Sequence, residues 1–117
     1  MPEQAVNQTL ANSEAANAAM NMVRDLQLYF RDCLDEVCGI KKGESGFKKI
    51  SWLRDQGNHG GGQRYVAVGQ KFFGRAAINV SQVHYDDLAD KPLGSASAIS
   101  TIIHPKNPHA PSMHMHI

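Results

Sequence analysis

RYVAVGQKFFGRAAINVSQVHY, residues 64–85, decides the fold class. Its β-branched and aromatic residues fall into two runs, RYVAVG and KFFGRAAINVSQVHY, parted by Gly69-Gln70. That pattern predicts two strands joined by a tight turn. Downstream, Asp86 to Ser95 reads as a polar loop carrying Pro92 and Gly94, ASAISTIIH (96–104) as a further strand, PKNPHAP as an irregular loop, and SMHMHI as the start of another strand. Upstream, Ala19, Val23, Leu26, Phe30, Leu34 and Val37 recur at three- and four-residue spacing with charged residues between them. This predicts an amphipathic helix over residues 13–39, capped by Ser13 or Asn12 and ended by Gly39. One helix followed by successive strands implies an α+β fold with an antiparallel sheet flanked by helices. Residues 1–12 are expected to form a loose tail, residues 40–51 a connector, and residues 52–117 the strands and functional loops.

At 117 residues the chain has room for one hydrophobic core and no second domain. Hydrophobic residues make up 42% and charged residues 20%, which excludes wholesale disorder. The net charge of +1 hides an asymmetry, with six acidic and two basic residues up to position 39 and five acidic and ten basic residues after it. A basic surface without interleaved aromatics suits a small polyanion better than nucleic acid. No run approaches the ~20 apolar residues of a membrane-spanning helix, and no signal or transit peptide is evident. Cys33 and Cys38 lie five residues apart in the helical pattern, a poor spacing for a disulfide or a shared metal, so both read as structural thiols of a reducing cytoplasm.

Four of the six histidines lie in the last fourteen residues, HPKNPHAPSMHMHI. In an extended strand Ser112, His114 and His116 share one face, while Met113, Met115 and Ile117 share the other. The same alternation places Ser100, Ile102 and His104 on one face of the preceding strand. The connector is long enough to bring the two polar faces together over one cleft. Imidazole transfers protons near neutral pH and, when protonated, pairs with carboxylates. Spacing leaves three readings open: proton transfer on a carboxylated substrate, metal binding by His104, His114 and His116, and ordinary strand residues. The stretch GNHGGGQR (57–64) matches neither the phosphate-loop nor the dinucleotide pattern. It reads as a glycine-rich surface loop or flap whose Arg64 can meet a carboxylate.

Three segments together, WLRDQGNHGGGQRYVAVGQKFF, AAINVSQVH and AISTIIHPKNPHAPSMHMHI, resemble the oxygen-dependent coproporphyrinogen oxidases. The run from His104 to His116 is the most specific. The chain departs from the family's pattern at Gly57-Asn58-His59-Gly60, where an uninterrupted glycine run is common, and at Ala77-Ile78-Asn79, where Gly-Val-Asn is common. The resemblance implies that His114 is the proton donor, that Ser100 contacts substrate, and that His116 and Ile117 begin a second substrate-contacting stretch. Arg64 is the expected carboxylate partner beside them. It also implies a homodimer that uses molecular oxygen, needs no organic cofactor, and converts two propionates of coproporphyrinogen III to vinyls with release of carbon dioxide and hydrogen peroxide. His104 and His114 match positions proposed as divalent-metal ligands in bacterial members, although no metal is the expectation here. Family members are more than twice this long, which implies that the chain is the N-terminal part of a larger single-domain fold.

Overall fold

The computed structural model describes residues 8–68, 71–91 and 94–117; the expected turn at Gly69-Gln70, Pro92 and the first seven residues lie outside them. Helix α1 (Glu14–Val37) begins at Ser13, whose hydroxyl accepts from the Ala16 amide at 3.1 Å, satisfying a donor the first turn leaves open. Gly39 ends it in the left-handed conformation, φ +72°. Five strands follow: β1 (Phe47–Leu53), β2 (Gly60–Ala67), β3 (Phe73–His84), β4 (Ser95–Pro105) and β5 (Met113–His116). They form one antiparallel sheet in the order β1-β2-β3-β4-β5, so α+β holds.

The helix covers one face of β3 and β4. Ile78, Val80 and Ile99 are fully buried beneath Met20 and Val23, with Leu26, Phe30 and Leu34 packed around them. Val37, counted in the apolar stripe from sequence, is 74% exposed at the last position of the helix. Polar contacts fix both helix ends. Near the start, buried Gln82 accepts from the Ala11 amide at 3.0 Å and donates to the Ala16 carbonyl at 3.2 Å. Near the end, Asp35 accepts from Ser45 Oγ at 2.7 Å and the Gly46 amide at 2.9 Å. Buried polar groups satisfied in this way set the helix's position along the sheet, which apolar packing alone leaves less defined. Cys33 and Cys38 are both free thiols, and burial, with the nearby Asp35, pushes the Cys38 thiol above its usual value.

Three expectations are corrected. Residues 40–51 are not all connector, because β1 starts at Phe47. Residues 8–12 are not a loose tail: the Thr9 amide donates to the Gly57 carbonyl at 3.0 Å, and Ala11 is buried. The glycines at 60–62 are strand, not a surface flap, and all three are buried. A side chain at Gly62 would overlap the Val80 carbonyl oxygen and come within 2.9 Å of Trp52 Cζ2, so the missing Cβ makes room for the neighbouring backbone and for the indole.

Candidate active site

The sheet face turned away from α1 mixes apolar and polar residues, and strand register aligns its side chains in rows. One row crosses all five strands through the pairs Ile50 with Arg64, Arg64 with Asn79, Asn79 with Ser100, and Ser100 with His116. Directly opposed residues on one sheet face have Cβ atoms roughly 4.5–5.5 Å apart, so Arg64, Asn79, Ser100 and His116 form a continuous line of polar groups. In the adjoining row Ile102 stands opposite His114, and one step further Arg75 stands opposite His104. Ser100 and His104 are half-buried, whereas Arg64, His114 and His116 are exposed.

His104 and His114 meet directly. Their rings lie end to end and nearly coplanar, with 5.0 Å between centroids and 9° between planes, and Nε2 lies 2.7 Å from Nε2. At that separation one nitrogen carries the proton and the other accepts it, since two N–H groups cannot face each other there. No carboxylate contacts either ring among the described residues. The pair is therefore joined by one N–H···N hydrogen bond at the edge of the sheet.

Of the residues singled out from sequence, Ser100, His104, His114, His116 and Arg64 are brought to this one face. Ile117 is not. Its backbone exchanges both hydrogen bonds with Ile99, at 2.9 and 3.0 Å, and that pairing directs its side chain to the helix side. As a metal site the arrangement supplies two converging nitrogens, and among the described residues no group of three or more His, Cys, Asp or Glu is gathered to hold an ion. Sequence reasoning missed Asn79, Trp52 and Arg75. The alternation of Ile78 and Val80 into the core was the available signal for Asn79, because it sends the residue between them to the opposite face.

A second imidazole group lies apart from this face. His59 Nδ1 is 2.6 Å from Asp55 Oδ2, and Nε2 is 3.0 Å from Asp87 Oδ1. The hydrogen bond to Asp55, reinforced by Asp87, raises the His59 pKa above its usual value even though partial burial works the other way. Behind it, buried His84 meets Thr9 Oγ1 through Nε2 at 2.8 Å.

A family model described as Coproporphyrinogen III oxidase matches residues 19–117. Similar proteins include the "Oxygen-dependent coproporphyrinogen-III oxidase" of Prochlorococcus marinus (strain NATL1A), 32% identical over 125 residues, covering 93% of this chain and 33% of that protein. The protein of the same name from Prochlorococcus marinus subsp. pastoris (strain CCMP1986 / NIES-2087 / MED4) is 32% identical over 94 residues, covering 69% of this chain and 27% of the relative. The chain spans about a third of the length of the curated relatives it matches. With its match running from within α1 through β5, the chain belongs to the coproporphyrinogen III oxidase family.

Proposed function

We propose that the polar sheet face supplies proton-transfer and carboxylate-holding groups for the oxidative decarboxylation of coproporphyrinogen III to protoporphyrinogen IX. The observation that carries this reading is the convergence of Ser100, His104, His114 and His116 on one face in a chain of this family. For each propionate, the side chain and one O2 give a vinyl group, CO2 and H2O2. The bond to the carboxylate carbon breaks and its electron pair becomes the vinyl π bond. A hydrogen leaves the methylene next to the pyrrole with two electrons, which reduce O2, and a further proton completes the peroxide. His114, whose ring shares a proton with His104, delivers that proton, while Arg64, Ser100 and His116 hold substrate carboxylates. Oxygen is the co-substrate, no organic cofactor takes part, and the enzyme works as a cytoplasmic homodimer.

Residues 1–117 by themselves are expected not to turn over, because a carboxylate-binding row and one imidazole pair are only part of what such a reaction requires. The test is aerobic formation of protoporphyrinogen by the assembled enzyme and by its His114→Ala variant, with the isolated chain assayed alongside. Loss of one positioned acid or base costs ~100- to 10,000-fold, so a variant within about twofold of the parent overturns the assignment. A second reading, a histidine-rich metal-binding β protein, is favoured only by the 2.7 Å approach of two imidazoles. Stoichiometric zinc or copper in untagged protein, lost on His104→Ala, would establish it.

A further inference from the structure

Asn79 occupies the middle of the row that runs from Arg64 to Ser100, on the central strand of the sheet. Its side chain is held in one orientation. Trp52 Nε1 lies 3.0 Å from Asn79 Oδ1, and an indole nitrogen only donates, so the amide oxygen must be the end that faces Trp52. The amide nitrogen is thereby left with both of its hydrogens, and no other hydrogen bond engages the Asn79 side chain among the described residues. Trp52 is itself fixed, because Gly62 has no side chain to keep the indole off the sheet. The row then reads guanidinium, amide N–H2 and hydroxyl across three adjacent strands spaced about 4.8 Å apart, a line of donors with no carboxylate in it.

We infer that Asn79 is a substrate carboxylate-binding residue, presenting Nδ2 between Arg64 and Ser100, and that Trp52 is the positioning residue that keeps the amide turned that way. The inference rests on the proposed function and adds to it a donor and the device that orients it. A purely structural Asn79 would need its amide for folding alone, and its replacement would not distinguish charged from neutral ligands.

The experiment is a fluorescence titration of the chain with coproporphyrin III, the oxidised tetracarboxylate, and with its tetra-amide, which keeps the ring and side-chain length but carries no negative charge. Asn79→Asp retains an oxygen to accept from Trp52 and replaces the donor by an acceptor. It is expected to weaken coproporphyrin III about tenfold or more while leaving the tetra-amide within twofold and the melting temperature unchanged. Trp52→Phe, which frees the amide to turn, is expected to weaken coproporphyrin III about threefold, and the double variant should bind no worse than Asn79→Asp alone. Asn79→Asp binding coproporphyrin III within twofold of the parent overturns the inference and leaves the proposed function standing. A parent chain that binds the tetra-amide as well as the tetracarboxylate overturns both. If Asn79→Asp melts several degrees lower, Trp52→Phe decides: unchanged affinity for coproporphyrin III at unchanged melting temperature refutes the positioning role and the inference with it.

Discussion

The two imidazole groups of this molecule differ in what surrounds them. His59 is clamped between two carboxylates, Asp55 and Asp87, and its ring also lies against Tyr85 at 5.1 Å and edge-on to His84 at 6.3 Å. His114 touches another imidazole and, among the described residues, no acid. A carboxylate on each nitrogen favours the imidazolium, so His59 ties the turn at residues 55–57 to the loop after β3. Asp55 and Gln56 sit in the left-handed region at φ 50° and 60°, where residues with a side chain are disfavoured. The ion pair offsets part of that strain. His114 has no acid holding its ring in this way among the described residues; its Nε2 meets the neighbouring imidazole instead. A histidine tied to two acids is therefore expected to serve structure, and one sharing a single proton with its neighbour to serve chemistry.

The largest test of that contrast is kinetic. His114→Ala should lower turnover of the assembled enzyme by ~100- to 10,000-fold, whereas His59→Gln should leave it within about twofold. A large loss from His59→Gln would break the comparison. Next comes the floor beneath Trp52: Gly62→Ala forces a Cβ against the Val80 carbonyl and the indole, and should cost about 3 kcal/mol, read as a melting temperature lower by roughly 10 °C. Ser100→Ala should raise the dissociation constant for coproporphyrin III about tenfold with little change in melting, since Ser100 lies in the donor row rather than in the core. Unfolding with unchanged affinity would make Ser100 a packing residue. The smallest effect is the pH dependence of the clamp. With a pKa raised on folding, His59 contributes stability that is full below its unfolded value near 6.5 and is lost as pH rises through the higher folded value. The gap in melting temperature between parent and His59→Gln should therefore shrink from pH 6 to pH 9. A constant gap would mean that His59 does not titrate in the clamp.

Helix α1 was legible because its buried stripe repeats every three or four residues, and β3 because even-numbered positions from Ala76 to His84 are buried while those between them are not. Strand β1 was not. FKKISWL is an edge strand with nearly every residue exposed, so burial leaves no alternation in its sequence. The glycines of β2 were misread for the opposite reason: they are buried, but their role is to have no side chain where backbone and indole approach, and composition records that only as a flexible loop. Strand alternation placed His114 and His116 on one face of their strand and Ser100 and His104 on one face of the preceding one, and the length of the connector let the two faces join. The 2.7 Å imidazole contact did not, because it depends on how PKNPHAP returns β5 onto β4. The His59 clamp left a trace in the i, i+4 spacing of Asp55 and His59, but its second carboxylate, Asp87, comes from the far end of β3.

Each strand of the sheet pairs with its neighbour in sequence, so the search for partners along the sheet is local. Closing short loops costs little chain entropy, and the meander can assemble one hairpin at a time. The lead-in to α1 has no such advantage. Its contacts, Thr9 with His84 and Ala11 with Gln82, join residues 75 and 71 positions apart. From these closure lengths the hairpins are expected to form first and the amino-terminal segment to dock onto a sheet already in register.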